Sequence, residues 1–158
     1  MRLAWRLAHH CLVHPLMAVL PSRAGDALHK WTGIKAFPAD AACVVVTKEN
    51  LVLSVARRGT LASWGLPGGS VERGERARVT AARELAEETG LSTYPYSLRL
   101  IYRGMCGDSL VATYVADNVQ GEPTRGDAGP VAWTTWEELL TGPFAEYNRQ
   151  VMHVLQAM

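Results

Sequence analysis

The sequence predicts an α+β domain, a mixed β-sheet packed with helices. Three observations predict it: two β-branched runs at 42–47 and 51–56, one long stretch at 75–89 free of glycine and proline, and a return to strand patterning before a closing amphipathic segment. Strands and helices do not alternate regularly, which excludes a doubly wound sheet. The chain of 158 residues is one ordinary domain with an appendage, and 48% hydrophobic against 20% charged residues is the balance of a globular protein.

Two parts separate, an N-terminal extension over 1–38 and a compact domain over 39–158. In the extension, residues 3–14 read as a short helix ending before Pro15, and 26–31 as a helical turn closed near Gly33. "ACVVVT" (42–47), the turn "KEN" and "LVLSVA" (51–56) read as an antiparallel hairpin. "GTLASWGLPGG" is broken by glycine and proline, so an extended segment around Trp64 and Leu66 is expected to end in a tight loop at Pro67, Gly68 and Gly69.

Residues 75–89 are rich in Ala, Arg, Glu and Leu and form the clearest helix, with Gly90 as its stop. Val79, Ala82, Leu85 and Ala86 are expected on its core side. "SLRLIYR" (97–103), "SLVATYVA" (109–116) and "VAW" (131–133) read as strands. Thr135 three residues ahead of Glu138 is a capping-box pattern, and Tyr147, Val151, Val154 and Leu155 mark one face of a final helix over 145–158.

The net charge of +1 points to no partner class. Its distribution is uneven: residues 1–37 hold Arg2, Arg6, Arg23, Lys30 and Lys35 against Asp26 alone. Five scattered cations make no patch, so nucleic-acid binding is left open. His10 and His14 lie one helical turn apart beside His9 and Cys11, but no third zinc ligand accompanies them. A packing or partner-binding appendage is the expectation there. Cys11, Cys43 and Cys106 are odd in number and scattered, so a reducing cytoplasm is the expected home. The basic, interrupted N-terminus is too short and polar for a transmembrane segment, and it fits a secretory signal poorly.

"RELAEETG" (83–90) places Glu84, Glu87 and Glu88 three and four apart, where like charges on one helix repel. A solvated acidic face is the ordinary reading of such a run. Arg83 within the cluster and a glycine turn upstream favour another: a hard divalent cation turns the repulsion into binding, because Mg²⁺ takes carboxylate and phosphate oxygens.

The wider segment "GSVERGERARVTAARELAEETGL" (69–91) resembles the signature of the Nudix hydrolases at every fixed position: Gly69, Glu75, Arg83, Glu84, Leu85, Glu87, Glu88, Gly90 and Leu91. The resemblance extends over about residues 40–158. It implies the Nudix fold, an α/β/α sandwich with a mixed sheet, and hydrolysis of the diphosphate bond in nucleoside diphosphate derivatives with Mg²⁺ or Mn²⁺. Carried over by position, it implies Glu87 and Glu88 as main metal ligands, Glu84 as a further ligand or the group that orients the attacking water, and the Gly68 carbonyl as completing the metal shell. It implies Arg83 as the arginine that fixes Glu84, and Glu75 as a supporting or base-like acid. A helix N-terminal acid favoured by the macrodipole is the competing reading of Glu75.

For the substrate the resemblance implies a nucleotide, and a homodimer is expected because members frequently pair. In "YRGMCGDSL" (102–110), Cys106, Gly107 and Asp108 do not present the tyrosine or proline marker of the diadenosine polyphosphate and ADP-ribose branches. The build is similar to MutT-like nucleoside triphosphate pyrophosphohydrolases. ADP-ribose or another nucleotide sugar is a second reading, and a nucleotide-sensing or RNA-binding module that has left catalysis is a third. Glu122 and Asp127 occupy the late loop where some members carry a further acid, although turn acids are the plainer explanation. Trp64, Tyr102 and Tyr114 are candidates to stack on a base, against the usual role of strand aromatics in a core.

Overall fold

The computed structural model describes residues 39–56, 63–124 and 129–158. The helices expected over 3–14 and 26–31 and the His9, His10, Cys11 and His14 group therefore fall outside the described residues, as does Asp127. Elements follow in the order β1 (Ala41–Val45), β2 (Thr47–Lys48), β3 (Leu51–Ala56), β4 (Trp64–Gly65), β5 (Gly68–Ser70), α1 (Ala77–Thr89), a 3-10 turn (Pro95–Ser97), β6 (Arg99–Cys106), β7 (Ser109–Val115), β8 (Val131–Thr134), α2 (Trp136–Leu139) and α3 (Ala145–Gln156).

The first sheet has the order β5-β1-β7-β6, with β1 and β7 parallel and the other pairs antiparallel. The second is built on β3, which pairs with β2, β4 and β8. Alternation along β1 explains why the first sheet is covered on both faces. Ala42 and Val44 enter one core with Ala81, Ala82 and Leu85 of α1, while Cys43 and Val45 enter a second with Tyr147 and Val151 of α3. The continuous apolar run is thus a strand buried on both sides, in an α/β/α sandwich.

Several boundaries differ from the sequence reading. The run at 42–47 does not form one hairpin strand: it leaves the first sheet after Val45, and only Thr47 and Lys48 pair with β3, while Leu53 N–H donates to the Val46 carbonyl at 2.9 Å. Val46 still joins the core of Ala42 and Val44 before Thr47 and Lys48 become exposed, so the switch of sheet leaves no break in the apolar run. Gly68 and Gly69 form no tight loop; they lie in the edge strand β5, opposite Cys43 and Ala42. A Cβ at Gly68 would run into the Ala42 carbonyl and Cys43, so the missing side chain lets this edge close onto β1.

Helix α1 begins at Ala77 rather than at Glu75 and ends at Gly90, whose φ of 75° is the left-handed conformation a glycine adopts without penalty. Its inner face carries Ala81, Ala82, Leu85 and Thr89, whereas Val79 and Ala86 face solvent. With only Val79 and Leu85 as larger apolar residues, and the first of them exposed, the helix offers little contrast by which to assign its faces. The capping box at Thr135 and Glu138 is formed on both sides. Among the described residues no helix is long and apolar enough to cross a membrane.

Candidate active site

Helix α1 lies along β1 and β5 with its acids toward the β5 edge. Arg83 is the centre of the cluster. Its Nε and Nη2 donate to the two oxygens of Glu75, each at 3.1 Å, and Nη1 donates to Glu84 Oε1 at 2.8 Å and Glu87 Oε2 at 2.9 Å. Glu72 stands 3.9 Å from the same guanidinium. One planar cation therefore serves acids at i−8, i+1 and i+4, offsetting the repulsion that their spacing creates. Those contacts push the Arg83 pKa further up and lock its charge.

Glu75 precedes the helix rather than capping it. Its Oε2 also accepts from Thr80 Oγ1 at 2.7 Å and from the Glu72 N–H at 3.3 Å. The fork from Arg83, with the Thr80 and Glu72 donors, outweighs burial and holds its pKa down at about 2. A carboxylate so committed is a poor proton acceptor near neutrality. Its surroundings describe a strut for Arg83, and the helix-dipole explanation does not apply, because no acid sits in the first turn of α1.

Glu88 alone of the four lies in the buried class, and its Oε2 accepts from the Gly68 N–H at 2.7 Å. Glu84 is only 15% exposed and lies so close to Gly69 that a Cβ there would strike its carboxylate. Glu87 is about half exposed. The glycine pair thus brings bare backbone against two of the three helix acids.

The donor set fits a hard divalent cation. Glu84 Oε2 and Glu87 Oε1 have no hydrogen-bond partner among the described residues, so these two acids each keep an oxygen to offer. Among the described residues no three His, Cys, Asp or Glu side chains enclose an ion-sized space. Mg²⁺ binds through one or two carboxylates, water and substrate phosphates.

On the opposite face of the sheet, a cavity of about 220 Å³ opens beside Gly68, Gly69 and Ser70. Cys43 and Val111 floor it, Cys106 and Ser109 close one end, and Phe144, Tyr147 and Asn148 of the α3 start form its wall. No Asp, Glu, Lys or Arg lines it among the described residues. Asn148 Nδ2 donates to the Leu139 carbonyl at 3.1 Å, leaving Oδ1 without a partner among the described residues. Sequence reasoning missed this pocket entirely. Its only local trace was Tyr147, read as part of the apolar face of the last helix.

The other sequence candidates stand apart. Trp64 packs against the α3-side core and is not among the cavity residues, and Tyr114 is buried in the α1-side core with the Arg78 guanidinium 5.9 Å from its ring centroid. Tyr102 packs on Tyr147, ring centroids 5.3 Å apart. Glu122 is exposed, its carbonyl near Gly90 at the end of α1.

A glycine-edged acid helix thus lies beside a neutral pocket on a two-faced mixed sheet. The NUDIX domain model matches residues 37–155, and the chain belongs to the Nudix hydrolase family. It is 33% identical over 96 residues to the ADP-ribose pyrophosphatase of Methanocaldococcus jannaschii, covering 57% of each chain. It is 30% identical over 97 residues to a MutT-like protein of Streptomyces ambofaciens, covering 61% of this chain and 62% of that one. The chain thus spans about three fifths of these two relatives. Among solved structures, a NUDIX hydrolase from Nitrosomonas europaea superposes with a TM-score of 0.60 at 28% identity, over 76% of this chain and 89% of that one. Nudix hydrolases generally use divalent metals.

Proposed function

We propose that this protein hydrolyses the pyrophosphate bond of a nucleoside triphosphate, releasing nucleoside monophosphate and pyrophosphate with Mg²⁺, and that Mn²⁺ substitutes. The observation that carries the reading is the placement of the β5 edge: Gly68 and Gly69 have the acids of α1 on one side and the uncharged pocket on the other. A ligand with a flat neutral end and a polyanionic end matches that division. The base enters the pocket, and the phosphates cross Gly68, Gly69 and Ser70 toward Glu84, Glu87 and Glu88.

Glu87 and Glu88, with the Gly68 carbonyl, would hold the cation and Glu84 would assist. When bound, the ion supplies charge neutralisation of the polyphosphate and acidifies water. Glu84 Oε2 is the atom offered to the attacking water's proton, and Arg83 keeps that carboxylate in place. Glu75 acts through Arg83 as a positioning residue rather than as the base. Water adds to phosphorus, the P–O anhydride bond breaks, and the electron pair leaves on pyrophosphate.

The absence of Asp, Glu, Lys and Arg among the described residues of the pocket favours a base over a sugar phosphate. The test is a panel of nucleoside triphosphates, ADP-ribose and nucleotide sugars with Mg²⁺, products resolved by chromatography. Monophosphate and pyrophosphate from a triphosphate, abolished by chelator, is the expected result. Turnover of ADP-ribose alone would replace the substrate, and full activity in excess chelator would contradict the metal mechanism.

A further inference from the structure

The floor of the pocket holds a buried hydrogen-bonded chain that the proposed hydrolysis does not use. Cys43 Sγ lies 3.1 Å from Thr113 Oγ1, Thr113 Oγ1 lies 2.5 Å from the Tyr147 hydroxyl, and that hydroxyl donates to the Val111 carbonyl at 3.2 Å. A carbonyl only accepts, so the Tyr147 proton is directed to Val111. Thr113 then donates to the Tyr147 oxygen, and the Cys43 thiol donates to Thr113. This order leaves every proton with an acceptor. Burial pushes the Tyr147 pKa upward, so the hydroxyl stays a donor.

The chain joins β1, β7 and the first turns of α3, segments that are distant in sequence. Phe144 precedes Tyr147 by one helical turn and Asn148 follows it, and both line the cavity. The Tyr147 ring packs on Tyr102, but ring packing alone permits sliding, whereas two hydrogen bonds fix a register. The Leu139 carbonyl anchors Asn148 from the other side. The distance between pocket wall and pocket floor is thereby set by a single hydroxyl.

We propose that Tyr147 is a positioning residue for the bound nucleotide: through Thr113 and Val111 it fixes the start of α3 over the sheet, and so sets the depth at which one flat, uncharged ring system is held. The proposal rests on the reading of the pocket as the nucleoside side of the substrate. A packing-only role would tolerate Tyr147→Phe, which keeps the ring and its contact with Tyr102. A positioning role would not.

The experiment compares Tyr147→Phe, Thr113→Val and the double variant, with Tyr102→Phe as control, by steady-state kinetics and thermal melting. A second readout needs no turnover: the rate at which iodoacetamide alkylates Cys106, which lines the cavity, measured against ATP or GTP in chelator. KM is expected to rise about tenfold in Tyr147→Phe and in Thr113→Val with kcat within twofold, to stay unchanged in Tyr102→Phe, and to be no worse in the double variant than in either, because the pair acts as one network. About tenfold more nucleotide should then be needed to protect Cys106. Unchanged KM and protection with a lowered melting temperature would show packing alone and overturn the proposal, as would a fall in kcat at constant KM. Should the wild type hydrolyse nothing yet show protection that Tyr147→Phe weakens, the hydrolysis reading fails and the positioning role stands.

Discussion

The two sides of the β5 edge use opposite chemistry. Toward α1 stand Glu75, Glu84 and Glu87 gathered by one arginine, with Glu88 beside them on the Gly68 N–H; toward α3 stands a cavity with no Asp, Glu, Lys or Arg among its described lining. Two glycines separate them. The difference teaches how a small domain holds a molecule that is itself divided, anionic at one end and flat and neutral at the other. Charge neutralisation belongs to one face and shape to the other, and neither needs the other's residues.

Substitutions that strike one face alone test that division. The largest effect is expected from Glu88→Gln, which removes a charged oxygen beside Gly68: hydrolysis should fall on the order of 100-fold or more with the melting temperature near that of the wild type. Steady-state rates and a melting curve on the same sample decide it. Next comes Arg83→Ala, which frees Glu75, Glu84 and Glu87 together and should cost about 10–100-fold in activity or metal affinity; Arg83→Lys should recover little, because an ammonium cannot reproduce the fork. Phe144→Ala should leave kcat near its wild-type value and raise KM roughly tenfold, the worth of one aromatic wall against a base. A kcat loss there would join the two faces.

The smallest effect concerns Glu75. Its folded pKa of about 2 lies below the ordinary 4.5, so its contribution to stability is complete above pH 4.5 and is lost as pH falls toward 2. Glu75→Gln should therefore destabilise by about 1–2 kcal/mol at pH 7, with the gap to the wild type closing between pH 4.5 and 2 in denaturant titrations. A gap independent of pH would remove the Arg83 bond as its source.

The acid face was legible in the sequence because one helix carries it. Spacing of three and four residues places side chains together in any helix, and the fixed distances back to Glu75 and Gly69 hold without tertiary information. The reach of Arg83 to three acids was not legible, since it depends on rotamers and on where the chain before α1 lies. Gly68 and Gly69 read as a loop because glycine and proline usually break strands; here they form the edge where α1 approaches closely. The pocket left no local trace beyond Tyr147, which reads as a core residue of the last helix. Cys43, Cys106 and Tyr147 come from three elements, and only the pairing of β7 with both β1 and β6 and the packing of α3 bring them to one cavity.

Calorimetric titration of a nonhydrolysable nucleoside triphosphate analogue in excess chelator, into the wild type, Glu88→Gln and Phe144→Ala, tests most directly whether the two faces work separately. The wild type should bind, Glu88→Gln should bind as well or more tightly once a buried negative charge is gone, and Phe144→Ala should bind about tenfold more weakly. Loss of metal-free binding in Glu88→Gln, with Phe144→Ala unaffected, would contradict the division and place the nucleoside on the acid face.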